Sequence, residues 1–170
     1  MYKKIATITL LIILVLINWS IYQKEQHIKN GKKVFLKLAP VDPRSLMQGD
    51  YMALRFDIGR KIYKELPKIE HYQGWQHNAD ASDGSVVVKL DEKKVGSFTR
   101  LYQGKALTEN ELLMHYRVRN GAVKFASNAF FFEEGSAKKY EKSKYGEFRV
   151  NDNGELLLVG MADRNVSGIE

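Results

Sequence analysis

The chain has 170 residues, a formal net charge of +7 and no cysteine. The absence of thiols excludes a disulfide framework and any thiolate metal site. Lys3, Lys4 and Lys24 flank the first hydrophobic segment and leave +4 for residues 25–170, whose basic residues are scattered. No basic stripe interleaved with aromatics is present, which argues against a nucleic-acid partner.

The first predicted element is a membrane anchor. An unbroken apolar run, opened by Ile5 and closed by Tyr22, carries no charge and is dominated by Leu, Ile and Val. At about 1.5 Å per residue it reaches roughly 27 Å, close to the hydrocarbon thickness of a bilayer. Trp19 and Tyr22 stand at its C-terminal end, where amphipathic rings favour the lipid–water interface. Lys3 and Lys4 would also suit a signal peptide, but the apolar core is longer than the usual one and no small-x-small cleavage site follows it. The expectation is a retained anchor over residues 1–24 that places the chain in the bilayer.

Orientation is argued from the tail. Lys24, Lys29, Lys32 and Lys33 follow the run, so the count of basic residues does not favour either side by itself. A short tail ahead of a first apolar helix commonly stays inside, and a long C-terminal domain translocates largely regardless of charge. This predicts an inner-membrane protein with its domain outside the cytoplasm, in the periplasm of a double-membrane bacterium. The lysines of the juxtamembrane linker, residues 25–32, suit anionic headgroups.

From residue 33 onward the pattern is mainly strand. Residues 33–39 alternate Val34, Leu36 and Leu38 with Phe35 and Lys37, then stop at Pro40 and Pro43. Residues 51–58 alternate again, with Met52, Leu54, Phe56 and Ile58 on one face. Residues 57–69 place Ile58, Ile62, Leu66 and Ile69 at helical spacing, with an end near Pro67. Residues 70–84 are polar and turn-rich and read as an exposed loop. Residues 85–90 and 95–102 read as strands joined by Asp91-Glu92-Lys93-Lys94. Two further pairs, 112–118 with 122–125 and 147–150 with 155–161, turn at Asn120-Gly121 and at Asp152-Asn153-Gly154. Residues 136–145 suggest a second short helix. The predicted class is mainly β (β-rich α+β): a small antiparallel sandwich or open barrel over residues 33–170, with one or two short helices behind a single transmembrane helix.

The densest motif is Gly49-Asp50-Tyr51-Met52-Ala53-Leu54-Arg55-Phe56, preceded by Pro40-Val41-Asp42-Pro43-Arg44-Ser45. A second block runs from Phe130-Phe131-Phe132-Glu133-Glu134-Gly135 through Ala137 and Tyr140 to Tyr145-Gly146-Glu147-Phe148-Arg149-Val150, and closes at Gly154-Glu155-Leu156-Leu157-Leu158-Val159-Gly160. Together these resemble the GDYXXLXY family of bacterial membrane-anchored proteins over most of residues 25–170. The last aromatic of the hallmark departs from the pattern, being Phe56 instead of tyrosine. The resemblance implies no established activity; it implies a polytopic membrane protein as partner, since family members often stand beside such proteins.

Physically, Asp42 and Ser45 can close side-chain turns, Gly49 permits positive φ, and Asp50 can accept N–H bonds at the start of the following strand. The simpler reading is a rigid turn that sets strand register. The functional reading is a patch of Asp42, Arg44, Asp50 and Tyr51 displayed to a partner or ligand.

The catalytic alternatives are thinner. A proline-containing turn, Gly-Asp and a strand behind an anchor resemble membrane signal peptidases, but the nucleophile position, eight before Gly49, is Val41. Ser45 lies inside the turn and no base is nominated for it. His71, His77, Asp80 and Asp83 match no standard zinc or calcium spacing and read as a solvated loop. His27 and His115 read as ordinary surface or strand residues. Glu133 and Glu134 suit the start of the second short helix better than an acid/base pair. Phe130, Phe131 and Phe132 read as core or near-membrane packing, or as a docking surface. The functional expectation is a binding or accessory protein of a membrane complex without metal or cofactor; the alternative is a hydrolase or signal-peptidase-like enzyme with an unrecognised site.

Overall fold

The computed structural model describes residues 2–39, 47–48, 51–66, 81–127 and 129–169, with backbone alone at 47–48. The chain begins with one long helix, α1 (Tyr2–Asn30), long and apolar enough to cross a membrane. None of its most apolar window is buried by the rest of the chain. Two of the polar groups inside the run are satisfied by the helix itself: Thr7 Oγ1 donates to the Lys3 carbonyl and Asn18 Nδ2 to the Leu14 carbonyl. That is the arrangement an apolar solvent demands of a polar side chain. The helix continues without a break through residues 25–30, the stretch read above as a linker.

After Gly31 the chain enters β1 (Lys32–Lys37), which pairs antiparallel with β9 (Tyr145–Val150); β10 (Leu156–Ala162) pairs with the other edge of β9. A second sheet has the order β5-β4-β6-β7, from β4 (Ser82–Leu90), β5 (Gly96–Leu101), β6 (Glu111–Arg119) and β7 (Ala122–Lys124). The two sheets meet where Phe35 bridges Val95 and the Phe35 N–H donates to the Lys94 carbonyl at 2.9 Å. The result is one curled wall, a half-barrel, as the open-barrel reading expected. A short third sheet, β2 (Met47–Gln48), β3 (Tyr51–Ala53) and β8 (Ala129–Phe131), carries the hallmark. Among the described residues there are also two short helices, α2 (Asp57–Glu65) and the single turn α3 (Ala137–Tyr140).

The concave side holds the core. Val34 and Leu36 from β1, Val86 and Val88 from β4, Met114 and Val118 from β6, Phe148 from β9 and Met161 from β10 are sealed around Phe56, Ile62 and Phe125. Strand alternation accounts for this set, since residues two apart share a face. Phe35 and Val87 are also buried, on the opposite face, and Lys33 Nζ stands 5.4 Å from the centre of the Phe35 ring. The turns follow their chemistry. Asn120 and Gly121 both adopt positive φ, the mirror-image turn that suits a tight hairpin. Asp91 Oδ1 accepts from the Lys93 and Val95 amides.

Three boundaries differ from the sequence reading. The strand expected over 51–58 stops at Ala53, because α2 begins at Asp57; Leu54 and Phe56 stay buried as extended residues, Phe56 bridging Leu38. The helix expected over 136–145 is one turn, since Tyr145 is already paired with Lys37 in the sheet. Residues 82–84, read as loop, begin β4, where Asp83 and Gly84 pair with Arg117 and Tyr116. Residues 70–80 of that loop, with His71, His77 and Asp80, lie outside the described residues.

One ion pair ties the second sheet to its loop. The Glu111 carboxylate accepts the Thr108 amide at 3.1 Å and Arg100 Nη1 at 2.6 Å. The Thr108 N–H and then the Arg100 guanidinium hold its pKa below the usual carboxylate range. A carboxylate depressed in the folded state adds stability above its unfolded pKa and loses it as pH falls through the folded value. Glu111→Gln is therefore expected to lower the thermal midpoint at neutral pH, with the gap to the parent protein closing in strong acid. Melting curves across that pH range check it.

Candidate functional site

The hallmark is built on a short strand whose two faces do different work. Met52, Leu54 and Phe56 turn inward and are buried, while Tyr51, Ala53 and Arg55 alternate with them. Of the proposed site residues, Asp42, Arg44 and Asp50 lie outside the described residues, and Tyr51 is half-buried on β3. Tyr51 pairs with Phe131 across the β3–β8 ladder, and their rings lie 5.7 Å apart in a tilted arrangement. Phe131 remains 73% exposed. A Tyr–Phe pair of this kind is a small apolar platform open to solvent.

The neighbouring aromatics turn the other way. Phe130 pairs with Met52, and both Phe130 and Phe132 pack on Tyr140, at 5.0 Å edge-on and 5.2 Å stacked. The sequence reading of the triple-Phe run thus divides: Phe130 and Phe132 pack against the core, and Phe131 is displayed. An open slot of about 420 Å³ separates β8 from β10, walled by Phe130, Phe131, Leu157 and Leu158. At the other end of the hallmark, Arg55 and Phe56 line a larger groove of about 610 Å³ between α2 and the β6–β7 turn.

One histidine is better placed than the sequence suggested. His27, expected at the surface or in a strand, is only 8% exposed and lies on α1. Its Nε2–H donates to the Arg149 carbonyl at 3.1 Å. Gly31 lets this junction close, since a Cβ there would stand 2.5 Å from the His27 carbonyl oxygen and 3.1 Å from Arg149 Cβ. The apolar helix is thereby seated on β9. The signal for it, a histidine eight residues after Trp19, was too slight to read without knowing that the helix continues.

His115 is a strand residue on β6, as expected, and its Nδ1 lies 2.9 Å from Ser85 Oγ directly across the ladder. Nucleophilic catalysis needs a group that orients the base and donors for an oxyanion. The nearest acid along β4, Asp83, is paired with Arg119 at 2.8 Å. The Ser85–His115 contact is a cross-strand polar pair on the sheet surface. Glu133 and Glu134 are exposed ahead of α3, where the Ser136 amide donates to the Glu133 carbonyl. Among the described residues no group of three His, Cys, Asp or Glu side chains is arranged to hold a metal ion.

Comparison with known proteins reaches the same residues. No curated protein and no solved structure matches the chain. A family model described as GDYXXLXY protein matches residues 13–161, which include the end of the apolar run, the hallmark, both sheets and both short helices. The chain belongs to the GDYXXLXY family.

Proposed function

We propose that this chain is a single-pass membrane protein whose β-rich domain lies outside the cytoplasm, in the periplasm of a double-membrane bacterium, and acts by binding, as an accessory subunit of a membrane complex. The observation that carries this reading is the unbroken course of α1. One end is an apolar rod that the chain does not cover, and the other is seated on β9 through His27. Such a helix holds the domain at a set distance from the bilayer, where a membrane partner is within reach. The Tyr51–Phe131 pair supports binding, because an exposed aromatic, Phe131, braced by a half-buried ring on a paired strand is the type of surface that anchors a contact.

The test is extraction of the full-length protein from its native membrane in mild detergent, followed by identification of co-purifying chains. A polytopic membrane protein in stoichiometric amount is expected, and Phe131→Ser is expected to release it without changing the melting temperature. Recovery of the chain alone, or its release from membranes by a carbonate wash, would overturn the proposal.

A further inference from the structure

The groove between α2 and the β6–β7 turn carries a concentration of positive charge. Arg55, Arg60 and Lys64 all line it, with Phe56, Tyr63 and Val123 supplying apolar surface. Arg60 is tied to Asp57 one turn back. Arg55 and Lys64 have no ion-pair partner among the described residues. The arginines of the two main sheets differ: Arg100, Arg117, Arg119 and Arg149 each reach a carboxylate or a backbone carbonyl of their own chain. On α2, Arg60 and Lys64 are four residues apart and therefore neighbours on one face, where like charges repel.

A second feature points the same way. The N-cap of α2 is Phe56, whose side chain cannot accept a hydrogen bond, so the first turn has no side-chain cap. Phe56, Gly59 and Arg60 of that turn line the groove. Asp57 in the same turn offsets Arg60, so Arg55 and Lys64 are the uncompensated cations, and the partial positive charge of the helix start adds to their field. Below them Val123 lies 3.5 Å from the position of a Cβ on Gly59, which brings the helix down onto β7 and floors the groove with hydrocarbon. Its volume of about 610 Å³ is within the range of small-ligand sites.

We infer that this groove binds a small amphipathic anion, a phosphate monoester or carboxylate on a short apolar body, with Arg55, Arg60 and Lys64 on the anionic head and Tyr63 and Val123 against the body. The site is separate from the Tyr51–Phe131 platform, and its occupancy does not require the accessory role proposed above. The β1 strand leads from the end of α1 to Ala39, which also lines the groove, so a strand of roughly 20 Å lies between helix and groove.

The probe is phenyl phosphate, titrated calorimetrically into the full-length protein in a neutral detergent, with inorganic phosphate and benzyl alcohol as comparisons. Saturable binding of phenyl phosphate is expected, at least about tenfold tighter than either comparison, because charge and apolar floor act together. Arg55→Gln and Lys64→Gln are each expected to weaken it about tenfold, as loss of a hydrogen bond to a charged group does. Both side chains are exposed, so both variants are expected to melt as the parent does. Absence of saturation, binding that survives both substitutions, or equal binding of benzyl alcohol would overturn the inference. Inorganic phosphate binding as tightly as phenyl phosphate would overturn the amphipathic assignment.

Discussion

Phe56→Ala is expected to cost about 3–5 kcal/mol of unfolding free energy, the range for removing a large aromatic from a packed core. Phe56 is 6% exposed, and its ring meets Phe148 edge-on at 5.3 Å and Phe125 at 6.1 Å. It lies against β9 at Gly146, where a Cβ would stand 3.0 Å from the ring. The substitution removes the central member of a three-ring cluster and leaves a space that β9 cannot collapse into without breaking its pairs to β1 and β10. Phe56→Leu, which keeps most of the volume, is expected to cost clearly less. Denaturant unfolding of the two variants checks both figures. A cost below about 1 kcal/mol for the alanine variant would mean that the hallmark aromatic is not part of the core.

Ile62→Asp is expected to destabilise further, by more than about 4 kcal/mol, because it places a carboxylate in hydrocarbon with no partner. Ile62 is fully buried on α2, between a helix face and the sheets. The helix has nine residues and no side-chain cap, so its own propensity cannot hold it in place. Packing through Ile58 and Ile62 is what keeps it. Ile62→Val, by contrast, is expected to cost about 0.5–1.5 kcal/mol. Circular dichroism with denaturant titration separates the two cases: the aspartate variant is expected to be unfolded or nearly so at room temperature, the valine variant native.

The same two residues show what was legible in the sequence. Ile58 and Ile62 at a spacing of four, followed by Pro67, marked the start of α2 and placed its end near Pro67, two residues past Glu65, since periodicity and a proline stop are local properties. The hairpins at Asn120-Gly121 and around Asn153-Gly154 were legible for the same reason: turn chemistry is written in adjacent residues. Pairing between distant segments was not. Nothing in residues 145–150 announces that this strand lies between β1 and β10, because strand alternation specifies a buried face and leaves the neighbour open. The early stop of the hallmark strand has a similar cause. Met52, Leu54, Phe56 and Ile58 alternate as a strand would, yet Ile58 also belongs to a helical set with Ile62, and the packing of α2 decides between them.

The site was legible in part. Tyr51 stood out through the hallmark and lies half-buried beside Phe131, a pairing of residues eighty positions apart that no local pattern records. The α2 groove was missed altogether. Arg55, Arg60 and Lys64 look like scattered surface charge along the chain, and Asn120 and Gly121, which close the groove, looked like an ordinary turn. Only the tertiary approach of α2 to β7 brings them together.

The junction at His27 makes the apolar rod and the β-rich domain turn as one shaft. Any twist or piston movement imposed on the rod is delivered to the domain, because no flexible coupling separates Tyr22 from His27 within the helix. A single residue inserted between them would rotate the two parts against each other by about 100° and separate them by about 1.5 Å. Seven inserted residues would restore the azimuth to within about 20° while raising the domain by roughly 10 Å. The length of that helical neck therefore acts as an angular setting, which aims the hallmark face at one bearing around the rod.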